Sequence, residues 1–299
     1  MRRRMPTNVG ASVRQRLLDR ARRERSPFQL LLEHFAIERL LFRLQESEYA
    51  GQFVLKGAML FRVWEGRSPR QTRDLDLLGY GDPDNLAAVF AEVTAIRTTP
   101  DDGVTFDASS IRSEPIRDHT EYHGVRVRMR AQLDSARIPV QVDVGFGDVV
   151  TPEARAATYP GLLDLPTPEI RMYPRETVVA EKFQAIVSLS TANTRVKDYY
   201  DLWHVSQRYE FNGTVLNRAI LRTFGRRETA LPEETPAGLR LDYLSDAQRV
   251  RQWNAFVERS TTATGTPSFS AAGNAIAEFV LPIVTEDFSS YWAPGGPWQ

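Results

Sequence analysis

Thr72-Arg73-Asp74-Leu75-Asp76-Leu77-Leu78-Gly79 is the stretch on which the fold of this 299-residue chain turns. Apolar and charged residues alternate through Leu77, the pattern of a half-buried strand, and Gly79 with Gly81-Asp82-Pro83 closes it. A strand is therefore predicted around Arg73–Leu78. Residues two apart on a strand share a face, so Asp74 and Asp76 project together while Leu75 and Leu77 turn to a core. Two adjacent carboxylates repel unless a cation neutralises them, and aspartate is disfavoured in strands. Mg²⁺, usually held by one or two carboxylates plus substrate phosphates, suits such a pair. A solvated strand face is the alternative, and D-x-D alone does not choose between them.

Moving upstream, Phe53-Val54-Leu55 is a short apolar strand, and Lys56-Gly57-Ala58 leads from it into a helical run through Trp64. Glycine lets backbone approach a phosphate closely, and a helix start favours the anion. Lys56, Gly57 and Ala58 are therefore candidate phosphate contacts one helix before D-x-D, with Thr72 and Arg73 able to add a hydroxyl and a charge. Downstream, residues 84–96 read as a helix. His123–Gln132 alternates Val125, Val127 and Met129 with Arg126, Arg128 and Arg130; a turn near Asp134–Arg137 then leads to Ile138–Phe146, which predicts a hairpin. Asp143, in Val140-Gln141-Val142-Asp143-Val144, supplies a third carboxylate. In-line nucleotidyl transfer commonly uses a two-metal clamp on the attacking and leaving oxygens. Asp148 competes for that place but lies past Gly147 in a turn.

The flanks are helical. Helices are predicted over 9–24 and 27–46, the second with Ser26 as N-cap. After prolines at 152, 160, 166, 168 and 174, helices follow at 176–190, 196–209, 214–224, 245–258 and 271–284, and the Pro/Gly-rich tail after Trp292 reads as loose. The class is α+β, a mixed sheet flanked by helices and followed by a helical C-terminal region. The predicted domains are 1–170 and 171–299.

Composition narrows the classes further. Net charge is zero and cysteine is absent, which excludes disulfides and thiolate metal sites and points to a reducing cytoplasm. No apolar run approaches a membrane span, and no apolar segment follows Arg2-Arg3-Arg4 as a secretory signal requires. Residues 1–25 carry nine arginines against Asp19 and Glu24, either a polyanion-attracting block or a solvated helix. Of 38 basic residues only Lys56, Lys182 and Lys197 are lysines. Lysine is a compact point charge that arginine's planar fork does not replace, so these positions attract notice. Lys182 shares a helix face with Val178 and Ile186, and a half-buried ammonium needs an anion. A triphosphate, Glu181 or a core aspartate each qualifies. Lys197 and Asp201 have i,i+4 spacing and can pair on the surface; from spacing alone Asp198 also reads as an ion-pair residue. His119-x-Glu121-x-His123 reads as surface rather than as a metal site, and neither an acyl-transfer nucleophile motif nor a dinucleotide fingerprint is present.

Taken in order, Leu55-Lys56-Gly57-Ala58-Met59-Leu60-Phe61, the stretch 72–78, Val142-Asp143-Val144, the stretch 176–186 and Arg195-Val196-Lys197-Asp198-Tyr199-Tyr200-Asp201-Leu202 resemble the AbiEii/AbiGii toxin family of DNA polymerase β-like nucleotidyltransferases. The similarity runs from about Arg14 to Leu202. The resemblance implies a toxin with a separate antitoxin protein in a toxin–antitoxin or abortive-infection system, transferring a nucleotide from an NTP co-substrate to RNA, tRNA 3′ ends being a known target. It implies Mg²⁺, or Mn²⁺, on Asp74, Asp76 and Asp143, and nucleotide phosphates on Lys182. Asp198 becomes the second essential acid, supported by Arg195, Lys197 and Asp201. The family often carries Gly-Gly or Gly-Ser where this chain has Gly57-Ala58, so backbone N–H must serve there. A small-molecule or protein acceptor and an inactive nucleotide-binding relative are the rival readings.

Overall fold

The computed structural model describes residues 8–116, 124–260, 265–284 and 288–299. The chain divides into two compact units: Met1–Ser68, Thr72–Gly147 and Arg155–Met172 form the first, and Pro69–Gln71, Asp148–Ala154 and Tyr173–Gln299 the second.

The first unit opens with α1 (Val9–Glu24) and α2 (Phe28–Gln45). The Asn8 side chain accepts from the Ala11 N–H at 2.9 Å, and Arg25 ends α1 in the left-handed conformation. Pro27, not Ser26, occupies the cap position of α2, and no side chain caps that helix; proline's fixed φ starts it instead. Next come β1 (Phe53–Lys56), α3 (Leu60–Glu65), β2 (Leu75–Gly79), α4 (Leu86–Ala95), β3 (Val104–Ile116), β4 (Gly124–Leu133), β5 (Ala136–Phe146), β6 (Arg155–Thr158) and β7 (Glu169–Met172). They build one mixed sheet in the order β3-β4-β5-β2-β1-β7-β6, which establishes the α+β class. Asp74 lies one residue before β2 rather than within it.

Register explains how the sheet separates a core face from a polar face. Leu75 and Leu77 stand opposite Val142 and Val144 of the parallel β5, and Val127 of β4 opposes Val142. All five are fully buried, on the face where α2 packs against β5 and α4 against β3. Removing a fully buried leucine or valine from such a layer costs about 2–5 kcal/mol. Buried charges anchor the connections: Arg43 grips Asp102 with two nitrogens at 2.7 and 3.1 Å, and Glu38 accepts from Arg39 at 2.7 Å and from the Leu162 N–H at 2.7 Å.

The second unit contains α5 (Arg175–Leu189), α6 (Val196–Arg208), β8 (Phe211–Asn212), α7 (Gly213–Arg226), α8 (Leu241–Leu244), α9 (Ala247–Ser260), α10 (Phe269–Val280) and β9 (Tyr291–Trp292). Its core is aromatic: Tyr199, Tyr200, Trp253 and Phe269 are buried with their rings in mutual contact. The segment after Trp292 is not loose. Trp298 stacks on Phe279 at 5.9 Å and donates to its carbonyl at 3.0 Å, while Gln299 and Tyr291 exchange backbone hydrogen bonds. Two indoles offset the cost of ordering a Pro/Gly-rich tail that composition alone marks as mobile.

Candidate functional site

In the first unit the sheet register lines up four charged residues across four strands. Lys56 of β1 opposes Asp76 of β2, Asp76 opposes Asp143 of β5, and Asp143 opposes Arg126 of β4. Directly opposed residues share a face, and neighbouring strands lie about 4.8 Å apart. The row therefore reads cation, anion, anion, cation, with both aspartates half-buried. Asp74 extends the acidic side two residues along the same strand direction.

Two contacts shape this row. Arg126 clasps Asp143 through Nε–Oδ1 at 2.8 Å and Nη2–Oδ2 at 2.7 Å. Those hydrogen bonds hold the guanidinium well above its ordinary pKa, against the opposing effect of partial burial. Gly57 has φ of 69°, and a Cβ there would sit 1.9 Å from Asp76 Oδ2. Only glycine permits both that backbone and that approach. Ala58, buried, offers its backbone alone. The helix that Gly57 opens is short: a 3₁₀ turn through Met59 and then Leu60–Glu65. Backbone room at Gly57, more than a helix dipole, is thus what the junction provides.

The approach to Asp74 is fixed from below. His34 Nε2 bonds the Thr72 carbonyl at 2.8 Å while its Nδ1 faces Arg62 at 3.4 Å. Burial, reinforced by the Arg62 charge and opposed by the Thr72 carbonyl, lowers the imidazole to about 4, so it is neutral at pH 7. Arg73, exposed, reaches Glu33 at 3.5 Å.

The second unit holds a separate charged cluster. Lys182 Nζ lies 2.7 Å from Asp198 Oδ1 and 2.8 Å from Asp201 Oδ2. Arg70 clasps Asp201 through Nε at 2.6 Å and Nη2 at 2.9 Å. Burial alone would lower Lys182, but Asp198 and Asp201 outweigh it and raise its pKa. Burial would likewise raise Asp201, yet Arg70 and then Lys182 hold it well below the usual carboxylate range. The core-aspartate alternative for Lys182 is therefore realised. The surface pair Lys197–Asp201 is not: Asp201 faces inward, fully buried, while Lys197 is exposed. Arg195 caps α6, its N–H bonding Asn193 Oδ1 at 2.8 Å. Asp148 bonds Arg227 at 2.8 Å in this unit, and Arg227 also reaches Glu181 at 3.5 Å. His119, Glu121 and His123 lie outside the described residues, as do Arg2, Arg3 and Arg4.

Arg70 and Arg126 escaped the sequence reading as site residues. Nothing local marks Arg70. Arg126 was legible in principle, because the two-residue turn Asp134-Ser135 pairs Leu133 with Ala136 and so sets Arg126 opposite Asp143.

Among the described residues, no group of three or more His, Asp or Glu side chains converges as a ready-made metal site. The residues nonetheless fit a hard divalent ion. Asp76 and Asp143 are register partners, Asp74 follows on the same strand direction, the missing side chain at Gly57 lets the Asp76 carboxylate lie against the turn, and an ion on Asp143 would displace the Arg126 clasp.

A mixed sheet with paired acids facing a glycine turn defines a nucleotidyltransferase-type class. The family model of the nucleotidyl transferase AbiEii toxin, of type IV toxin–antitoxin systems, matches residues 39–275. The chain belongs to that family and is thus a transferase whose system pairs it with an antitoxin. Among solved structures, the JHP933 protein of Helicobacter pylori superposes with a TM-score of 0.51 at 14% identity, over 85% of this chain and 91% of that one. This likeness shows the fold. A second H. pylori chain aligns at 13% identity over 86% of this chain and 99% of its own, with a TM-score of 0.44. No curated protein matches the sequence. No described helix is long and apolar enough to cross a membrane.

Proposed function

We propose that this protein transfers a nucleoside monophosphate from an NTP to an RNA acceptor, with tRNA 3′ ends the favoured target, as the cytoplasmic toxin of an abortive-infection, phage-defence pair. The observation that carries the reading is the cross-strand row Lys56–Asp76–Asp143–Arg126 with Gly57 against Asp76. Asp74, Asp76 and Asp143 would hold Mg²⁺, or Mn²⁺, which when bound supplies charge neutralisation for the attacking and leaving oxygens.

In the reaction an acceptor hydroxyl oxygen forms a bond to the α-phosphorus and the bond to the β-phosphate oxygen breaks. Pyrophosphate leaves, and the hydroxyl proton passes to a carboxylate or to water. Gly57 and Ala58 present backbone N–H to the triphosphate, Lys56 and Thr72 adding charge and a hydroxyl. By the family resemblance Lys182 serves the nucleotide phosphates and Asp198 is the second essential acid. The hydrogen bond between those two supports a positioning role for Asp198. Arg195, at the N-cap of α6, and Lys197 precede that acid.

The test is incubation with Mg²⁺, each α-³²P-labelled NTP in turn and bulk bacterial tRNA, beside Asp74→Ala. Label on tRNA from the wild type alone supports the reading and names the donor. Label on a small molecule or on protein instead would replace RNA as the acceptor, and no transfer to anything would leave an inactive nucleotide binder.

A further inference from the structure

A cavity of about 590 Å³ on the first unit is lined from Asp74 across β5 and β4 to β3, on the side of β2 away from β1. Among the described residues its walls carry Arg73, Arg112, Arg128 and Arg130 against Glu33 and Asp74. We propose that this groove is the track for the phosphate backbone of the RNA acceptor, running from Asp74 over β5 and β4 to a bulge in β3. The proposal rests on the nucleotidyl-transfer reading above and locates its acceptor.

Strand order places β1, with Lys56 and Gly57, on one side of β2 and places β5, β4 and β3 on the other. The glycine turn and the groove therefore flank the acidic pair from opposite sides, which is where an incoming nucleotide and an attacking strand must stand for in-line displacement.

From Asp74 before β2 to Ser109, Ser110 and Arg112 of β3, the lining spans three strand spacings, on the order of 14 Å. That is more than a single acceptor nucleoside needs.

Chemistry agrees with both. The register of β3 against β4 shifts between Asp107 and Arg112, and such bulges re-aim side chains beside active sites. Here the bulge brings Ser109, Ser110 and Arg112 into the lining, with Ser110 Oγ accepting from the Arg130 N–H at 2.9 Å. Arg128 and Arg130 pair with Glu114 and Asp107, but their side chains are 51% and 66% exposed. Exposed ion pairs are weak, so a phosphate, which matches the guanidinium fork, displaces them at small cost. No aromatic ring is among the described residues lining the groove. It therefore reads backbone charge rather than stacked bases.

The experiment measures binding of fluorescein-labelled tRNA by anisotropy across a KCl series, together with kcat and KM for RNA. It compares wild type, Arg130→Gln, Arg128→Gln/Arg130→Gln, and a control, Arg155→Gln/Arg171→Gln, which removes equal charge from exposed positions on β6 and β7. Each lost phosphate contact lowers the slope of log affinity against log salt by roughly 0.7–0.9. The groove double variant is expected to lose about 1.5 in slope and roughly tenfold or more in affinity. KM for RNA should rise in step, while kcat at saturating RNA and the thermal shift with NTP stay unchanged. Wild-type behaviour of the double variant in an enzyme that does label RNA would overturn the groove and leave the transferase reading intact, and so would an equal loss in the control. Loss of NTP binding instead would make the groove a nucleotide site and overturn it too. A wild type that neither binds nor labels RNA brings down both.

Discussion

His34 gives the first unit a pH dependence whose size follows from its surroundings. The ring is buried in α2, Nε2 bonding the Thr72 carbonyl and Nδ1 turned to Arg62. Burial, then the Arg62 charge, lowers it from 6.5 to about 4. The unfolded chain therefore takes up a proton near pH 6.5 that the folded chain refuses until about pH 4. Stability owed to the neutral ring is complete above 6.5 and is lost as pH falls through that window. A gap of about 2.5 pH units at about 1.4 kcal/mol each comes to roughly 3 kcal/mol. His34→Gln keeps a donor for Thr72 and an acceptor for Arg62 but does not titrate. Urea unfolding of both proteins from about pH 7.5 to about pH 4 isolates the histidine, since the other groups titrate in each. The wild type should lose roughly 3 kcal/mol relative to the variant across that range. A difference constant to within about 0.5 kcal/mol would refute the linkage and the buried neutral ring with it.

Three further outcomes are expected. Lys182→Met leaves Asp198 and Asp201 with one cation fewer in a buried cluster, so stability falls by about 3–5 kcal/mol. Lys182→Met/Asp198→Asn should recover part of that loss in denaturant unfolding, and strict additivity would argue against the pair. Gly57→Ala forces a left-handed φ and a Cβ into Asp76, costing about 1–3 kcal/mol in stability and at least about a hundredfold in transfer rate, with Gly66→Ala, a positive-φ glycine with open space, as the comparison. Arg126→Met removes the clasp on Asp143 and costs about 1–3 kcal/mol. Because Asp143 is then without its guanidinium, Mn²⁺ should raise the variant's melting temperature more than the wild type's, and an equal rise in both would contradict competition between Arg126 and the ion.

What the sequence conveyed depended on how local each signal was. Alternation in 124–146 and periodicity in the helices are properties of consecutive residues, and both were legible. β6 and β7 were not: at four residues each they are too short for a period to register, and they exist because β7 finds β1 across more than a hundred residues. β3 was hidden by its bulge, which breaks the period of two. At the site, Asp74, Asp76 and Asp143 stood out as carboxylates in apolar runs. The inward turn of Asp201 was missed because i,i+4 spacing to Lys197 satisfied it on paper, whereas its partners Arg70 and Lys182 come from other segments. Ionic partners brought in by tertiary structure leave no local pattern to read.

The central claim is that the acidic row drives nucleotidyl transfer to RNA. The most direct measurement is mass spectrometry of tRNA after reaction with wild type or Asp76→Asn, alongside pyrophosphate assay and a thermal melt of both proteins. The account predicts tRNA heavier by whole nucleoside monophosphates, pyrophosphate in equal amount, and neither product from a folded Asp76→Asn. Pyrophosphate without heavier RNA, or transfer undiminished in Asp76→Asn, would contradict it.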